Sequence, residues 1–168
     1  SIGMNRPDWA MKILDPLHRW AYQLDEVLLA GSWNLLNQQG YEVLIRCNQL
    51  QIPMVNAEIF CSGALWGLPF YSHSTISASV TQRIKLWQVL IDEFNQDSPA
   101  QLLTLQELAL RFALLPRIVK RVCVGMCGAS EVHANLELFS ISRSSREYPK
   151  IYQMFLKAQE MGLLREDI

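Results

Sequence analysis

The sequence predicts an α/β fold built on a parallel sheet. Four short apolar runs occur along the chain, and each is followed by a segment whose apolar residues have helical spacing. Strands that alternate with helices in this way pair in parallel. Half of the 168 residues are hydrophobic, enough to bury one core, so we expect a single unit over residues 1–168. Four strand-helix units fit half of an eight-stranded (β/α)8 barrel, and a small open flavodoxin-like sheet is the alternative.

The individual elements follow from the spacing of apolar residues and from the residues that end each segment. In chain order, the predicted strands cover residues 2–4, 27–30, 52–55 and 119–124, and the predicted helices cover residues 9–20, 41–50, 84–94, 105–112, 132–139 and 148–161. Pro16 lies inside the first helical pattern, so we expect a break or kink there. Gly162 is expected to cap the last helix. Residues 58–79 contain glycines, Pro69 and many small polar residues, so we expect a long loop.

Charge and composition exclude several classes of function. The net charge is −1, with 15 Lys+Arg against 16 Asp+Glu and no basic block, so nucleic acid is not an expected partner. No apolar run reaches the roughly 18 residues that a membrane span needs, so we expect no membrane association. The four cysteines form no Cys-x-x-Cys pair and no secretory signal opens the chain, which indicates reduced thiols in a cytoplasmic protein.

Two glycine-containing segments follow predicted strands and are the candidate binding sites. Residues 125–130 (GMCGAS) open a helix whose N-terminus favours an anion, with Ser130 as the expected N-cap; an ordinary strand-to-helix turn is the alternative. Residues 59–67 follow the third strand, at the end of a parallel sheet where ligands bind, and Gly63 and Gly67 permit close backbone approach. A flexible connection is the alternative there.

Other residues with useful chemistry form no recognisable site. His18, His73 and His133 lie on different elements, and none has metal-ligand spacing to another His or Cys, so no metal site is expected. Glu58 follows a predicted strand end, where a carboxylate can bind a ligand, but it has no visible partner. The tryptophans are predicted to pack in the core: Trp9, Trp20, Trp66 and Trp87.

Four segments, in order along the chain, resemble the aldo/keto reductase family, and most closely its aldose 1-dehydrogenase branch. Residues 1–5 (SIGMN) are similar to the family's fifth strand, and residues 25–38 (DEVLLAGSWNLLNQ) to its sixth strand and the following turn. Residues 52–67 (IPMVNAEIFCSGALWG) resemble the seventh strand with its loop, and residues 122–136 (VCVGMCGASEVHANL) the eighth strand and the adenosine-binding helix. The resemblance implies the C-terminal half, strands 5 to 8, of a (β/α)8 TIM barrel.

The activity that this resemblance implies is that of an NAD(P)-dependent oxidoreductase acting on a sugar or another small carbonyl compound. The family's catalytic Asp, Tyr, Lys and His come from the first half of the barrel, so this chain carries no catalytic residue and we expect it to be inactive alone. Its expected partner is the missing N-terminal half-barrel or a second copy of itself. The alternatives are a non-catalytic half-barrel that acts as a binding or interaction module and an unrelated doubly wound nucleotide-binding domain.

Cofactor contacts carry over from the resemblance residue by residue. Asn5 matches a position near the nicotinamide carboxamide, and Asn135 matches the residue that contacts the adenine edge. The positions beside the pyrophosphate are Phe60, Ser62 and Gly63, and those near the adenosine ribose are Gly125, Met126 and Cys127.

Several departures from the family pattern bear on the choice of cofactor. Ala30 and Ala57 replace the usual Gln and the Tyr that stacks on the nicotinamide. Glu131 stands where NADP-dependent relatives have an Arg for the 2′-phosphate, and Gly125 where they have Lys. A carboxylate repels that phosphate and can accept a hydrogen bond from a free 2′-hydroxyl, so the expected cofactor is NAD, with NADP as the other possibility.

Overall fold

The computed structural model describes residues 1–20, 23–71, 74–99, 102–141 and 148–167. In chain order the elements are β1 (Ile2–Met4), α1 (Pro7–Trp20), β2 (Val27–Ala30), α2 (Tyr41–Leu50), β3 (Met54–Ala57), a 3-10 helix (Cys61–Trp66), β4 (Phe70–Tyr71), β5 (Ser74–Thr75), α3 (Ala78–Asp97), α4 (Leu105–Ala113), β6 (Val119–Cys123), α5 (Ala129–Ile141) and α6 (Tyr148–Glu160). The predicted α/β class is confirmed.

Four strands form a parallel sheet in the order β1-β2-β3-β6, and β4 with β5 forms a separate antiparallel hairpin. The four parallel strands therefore lie side by side in their order along the chain. Right-handed crossovers between strands added in sequence return to the same side, so the connecting helices share one face of the sheet. The strand order does not reverse among the described strands, whereas a doubly wound sheet binds its nucleotide at such a reversal.

The two faces of the sheet are covered to different extents toward the carboxyl ends of the strands. Val27 and Leu29 of β2 are buried against the helices, whereas Ala30 is only half-buried. Ala30 of β2 pairs with Ala57 of β3, which is also half-buried. Ala57 in turn pairs with Cys123 of β6, which is exposed. The apolar core therefore lies between the sheet and its helices. On the other face, Leu28 and Val55 are followed toward the carboxyl ends by the smaller Ala30 and Ala57.

Both edges of the sheet, β1 and β6, have no partner strand among the described residues. The helices that follow these two strands expose apolar side chains. Trp9 on α1 is 53% exposed, and Val132 and Leu136 on α5 are 39% and 60% exposed. The prediction that Trp9 packs in the core is wrong, because α1 turns this side chain away from the sheet and toward solvent.

Helix α4 is enclosed by the rest of the protein and lies at the centre of the core. Phe112 on this helix stacks on Trp33 with a 4.9 Å separation of the ring centroids. Trp87 on α3 is fully buried, and its indole Nε1 donates to the carbonyl oxygen of Leu35 at 3.3 Å. The core prediction for Trp87 is confirmed, and the one for Trp66, which is 43% exposed, is wrong. The side chain of Trp20 lies outside the described residues.

Three local predictions differ from the structure. Helix α1 continues through Pro16 without a break; the ring leaves the Lys12 carbonyl without its helical donor, and Lys12 is exposed, so water can bind there. Strand β3 begins two residues later than predicted, because Gln51 in the left-handed conformation ends α2 and the Ile52 N–H donates to the Cys47 carbonyl. Within the described part of residues 58–79, a 3-10 helix and a hairpin replace the expected loop.

Helix α6 ends as predicted at a left-handed glycine. Gly162 has φ 69°, and the N–H of the next residue, Leu163, donates to the carbonyl of Ala158 at 2.9 Å. Among the described helices, none combines the length and the apolar character needed to cross a membrane.

Candidate functional site

Parallel pairing brings the carboxyl ends of the four strands to one edge of the sheet. Asn5 follows β1, Gly31 follows β2, Glu58 follows β3, and Val124 with Gly125 follows β6. Ligands of parallel α/β sheets bind outside this edge, where the strand ends and helix N-termini meet. We call this region the carboxyl-edge site; it comprises Asn5, Gly31, residues 58–63 and residues 124–131.

The backbone after β3 is unusual because three residues other than glycine adopt the left-handed conformation. Glu58 has φ 60°, Cys61 has φ 55° and Ser62 has φ 54°. Such angles are uncommon for residues with a side chain, and they cluster at functional sites. The Cys61 N–H donates to the Glu58 carbonyl at 3.1 Å, which closes the first turn of the segment.

Glu58 has two contacts that fix its carboxylate at this edge. Its Oε1 accepts a hydrogen bond from Ser62 Oγ at 2.5 Å. Its Oε2 lies against Gly31 of the neighbouring strand end, where a Cβ would come within 2.4 Å of that oxygen. Gly31 also has φ 67°, a conformation that favours glycine whatever the space around it. The sequence alone pairs Glu58 with neither residue.

Gly63 fulfils a conformational role rather than exposing its backbone. Its φ is 90°, and a Cβ there would lie 2.4 Å from Leu68 Cδ1, so the Leu68 side chain covers this side of the glycine. Phe60 is likewise turned inward: it is 6% exposed and contacts Trp66 edge-to-face at 5.7 Å. Of the three residues expected beside a pyrophosphate, only Ser62 presents a partly accessible polar side chain, and it is bonded to Glu58.

The segment after β6 is open. A Cβ at Gly125 or Gly128 would have no atom within 4 Å, and residues 125–133 are exposed. Glu131 Oε2 accepts from the Cys127 N–H at 2.8 Å, so this carboxylate caps the start of α5. The prediction that Ser130 is the N-cap is wrong, because α5 already begins at Ala129 and Ser130 is a helical residue.

The remaining predicted contact residues differ in accessibility. Asn5 is exposed, and its carbonyl accepts from Ser32 Oγ at 3.5 Å, which joins the ends of β1 and β2. Met126 is 41% exposed beside the glycines. Asn135 is only 5% exposed; its Nδ2 donates to the Glu131 carbonyl at 2.9 Å, and its Oδ1 is buried without a partner in the structure.

The buried thiol of Cys61, close to Glu58, is not activated. Burial, with a smaller contribution from the charge of Glu58, raises the pKa of the Cys61 thiol far above its usual value. Cys61 therefore stays protonated and is a packing residue. Of the three histidines, His133 is exposed, and the side chains of His18 and His73 lie outside the described residues. The described residues include no group of three His, Cys, Asp or Glu side chains suited to a metal ion.

Comparisons with known proteins add no family to this picture. No protein-family model matches the chain. A search of curated proteins finds no match either.

Proposed function

We propose that this chain forms the second half of an aldo/keto reductase barrel and supplies the NAD-binding edge of an aldose 1-dehydrogenase. The observation that carries the proposal is the strand order. Four parallel strands lie in chain order with helical crossovers, which is the arrangement of consecutive strands in a (β/α)8 barrel. The first three segments that resemble the family's strands contain β1, β2 and β3, and the fourth begins within β6, at Val122.

The uncovered surfaces of the chain support a barrel that is completed by other strands. A closed barrel has no free edges, whereas here β1 and β6 are both unpaired among the described residues. Trp9 is exposed on the helix that follows one edge strand, and Val132 and Leu136 are exposed on the helix that follows the other. In a complete barrel the neighbouring helices would cover such side chains.

The adenosine end of the carboxyl-edge site suits NAD better than NADP. The absence of side chains at Gly125 and Gly128 allows a ribose to approach the backbone closely. Glu131 keeps a carboxylate at the first turn of α5, where a hydroxyl can donate to it and a 2′-phosphate is repelled. NAD, when bound, supplies the hydride acceptor, and the proton-transferring groups would come from the first half of the barrel.

The phosphate side of the site carries one unfavourable group. Glu58, hydrogen-bonded to Ser62, holds a carboxylate beside the loop that the resemblance assigns to the pyrophosphate. Two negative charges about 4 Å apart repel each other by about 4 kcal/mol at an effective dielectric of about 20. Weak dinucleotide binding by this chain is therefore expected.

The test compares dissociation constants for NAD and NADP by calorimetry. We expect NAD to bind more tightly, and Glu131→Arg to shift the preference toward NADP by about tenfold, as one charge-assisted contact allows. Glu137→Arg on the same helix makes the same change of charge and should leave the preference unaltered. Tighter binding of NADP by the unmodified chain would refute the assignment, and so would the absence of binding to either nucleotide.

A non-catalytic binding module is the second candidate, because the resemblance implies that all four catalytic groups lie outside this chain. An assay with aldose and NAD distinguishes the two roles. We expect no turnover by residues 1–168 alone and turnover once the first half of the barrel is added. Nucleotide binding that never leads to turnover in the completed assembly would favour the binding module.

A further inference from the structure

We propose that a neutral monosaccharide binds in a cavity beside Trp66, separate from the nucleotide contacts discussed above. The cavity has a volume of about 470 Å³ and lies between the 3-10 helix, α3 and the first turn of α4. This volume is within the usual range for small-molecule sites. We call it the Trp66 cavity; the lining residues that carry the proposal are Trp66, Gln88, Thr104 and Gln106.

Trp66 provides an exposed aromatic surface with a fixed orientation. Its side chain is 43% exposed, although tryptophan usually packs in the core. The buried Phe60 ring contacts it edge-to-face at 5.7 Å, and Gly67, with φ 84°, ends the 3-10 helix directly after it. The electron-rich face of an indole attracts polarised C–H groups, and sugar rings present such groups on one side. Trp66 can therefore act as a stacking platform.

Two amide side chains and one hydroxyl supply hydrogen bonds around this platform. Gln106 Nε2 donates to the Leu65 carbonyl at 2.6 Å, which fixes its amide and leaves Oε1 as an acceptor. Gln88 Nε2 donates to Asp92 Oδ1 at 2.9 Å and keeps its own oxygen as an acceptor. Thr104 Oγ1 accepts from the Glu107 N–H at 3.1 Å, which leaves the hydroxyl proton to donate. Hydroxyl groups of a sugar match both kinds of partner.

The charge of the cavity selects a neutral ligand. Among the described residues that line it, none is Asp, Glu, Lys or Arg. A phosphate or carboxylate would therefore lose its hydration without gaining an ion pair, which is costly. The first-turn N–H groups of Leu105 and Gln106 have no helical acceptor, and they can bond to a hydroxyl oxygen. An uncharged ring with several hydroxyls satisfies all of these groups.

The experiment follows the indole N–H resonances of the labelled chain while D-galactose, D-glucuronate or ADP-ribose is added. The Trp66 resonance is assigned by its loss in Trp66→Phe. We expect D-galactose to shift it saturably in the millimolar range, with little effect from the two charged compounds. The Trp9 resonance serves as control, because that side chain is also exposed, at 53% against 43% for Trp66, but lies on α1. No shift at Trp66, equal shifts at Trp9, or a stronger effect of D-glucuronate than of D-galactose on Trp66 would overturn the proposal; binding of ADP-ribose at the carboxyl edge would not.

Variants then test which groups bind the sugar, with saturation-transfer NMR as the readout. Trp66→Ala should weaken binding at least tenfold, whereas Trp66→Phe keeps a stacking surface and should lose less. Gln88→Leu, at an exposed position, should weaken binding about threefold without affecting the fold. Trp9→Ala should bind like the unmodified chain. Unaltered binding in both Trp66→Ala and Gln88→Leu would contradict the proposal. If one variant does not fold, unaltered binding in the other contradicts it.

Discussion

The carboxylate of Glu58, which follows β3, occupies the space that a side chain at Gly31, which follows β2, would need. A Cβ at position 31 would lie 2.4 Å from Oε2 of Glu58, and the φ of 67° is itself unfavourable for any residue with a side chain. Among the described parallel strands, only β3 is directly followed by a carboxylate, and this contact helps to position it. The stability of the carboxyl edge is therefore linked to the side chain of Glu58.

Gly31→Ala should destabilise the protein by about 1–2 kcal/mol, because the left-handed conformation opposes a methyl group and the end of the Glu58 side chain must move to make room. Glu58→Ala in the same chain should recover part of this loss, since the shorter side chain vacates the space. Urea unfolding of the single and double variants measures both effects. Gly125→Ala, where a Cβ meets nothing within 4 Å, is the control and should change stability little. Additive losses in the double variant would show that the two residues do not interact.

Glu58→Gln should strengthen NAD binding about three- to tenfold, provided that the dinucleotide binds at the carboxyl edge as proposed. The amide keeps an acceptor for Ser62 Oγ but removes the negative charge beside the phosphates. Calorimetric titration with NAD at low salt checks the direction. Glu160→Gln, an exposed residue on α6, makes the same change of net charge elsewhere and should have no effect. Weaker NAD binding by Glu58→Gln would mean that the carboxylate itself contacts the ligand.

The buried ion pair of α4 should be sensitive to loss of one partner. Arg111 Nη2 lies 2.6 Å from Glu107 Oε1, both side chains are about 5% exposed, and Arg111 Nη1 has no partner in the structure. Glu107→Ala should cost about 3–5 kcal/mol of unfolding free energy, because it leaves a buried charge alone. The double variant Glu107→Leu with Arg111→Met should be close to neutral.

An exposed pair on other helices is the control for this experiment. Lys157 contacts Glu93 at 2.5 Å with both side chains half exposed, and Lys157→Ala should cost less than about 1 kcal/mol. Chemical unfolding at neutral pH measures all four proteins. A loss in Glu107→Ala no larger than that in Lys157→Ala would contradict the role given to burial.

Alkaline conditions should destabilise the protein through its buried thiols. Burial raises the pKa of Cys47 from 9.0 to about 11. The unfolded chain therefore loses this proton first, so the contribution to stability is complete below pH 9 and disappears as the pH rises to 11. The loss from Cys47 is about 2 kcal/mol, and Cys47→Ala should flatten the slope of stability against pH over this range. An unchanged slope in that variant would assign the effect to other groups.

Thiol labelling provides an independent check on the same burial. Cys123 and Cys127 are exposed, whereas Cys47 and Cys61 are buried. Brief treatment with a maleimide at pH 7 should add two labels to the folded chain and four in urea, as counted by mass spectrometry. Rapid addition of more than two labels to the folded protein would mean that the core opens readily.

The unpaired edges should make the chain associate. Sedimentation at micromolar concentration should find a species larger than a monomer, formed by two half-barrels or by addition of the first half. Leu136→Glu, beside the β6 edge, should shift the distribution toward the monomer. Tyr152→Glu, an exposed position on α6, which follows no strand of the sheet directly, should not. A well-folded monomer at these concentrations would defeat this expectation.

Local patterns in the sequence were sufficient for the elements that depend on nearby residues. Strand β2 at Val27–Ala30 and helix α2 at Tyr41–Leu50 lie where they were predicted. Both have strong apolar patterns, and their ends are set by residues a few positions away. The parallel α/β class followed from the repetition of such units. The half-barrel, its cofactor and its activity remain predictions from the resemblance.

Contacts between distant segments were decided only by the tertiary structure. Glu58 meets Gly31 because β2 and β3 pair in a particular register, and no spacing in the sequence encodes that distance. Trp66 and Trp87 have the same side chain, yet one is 43% exposed and the other fully buried. The residue type determines how much free energy the burial of a tryptophan can provide. The packing of the surrounding elements determines which of the two tryptophans is buried.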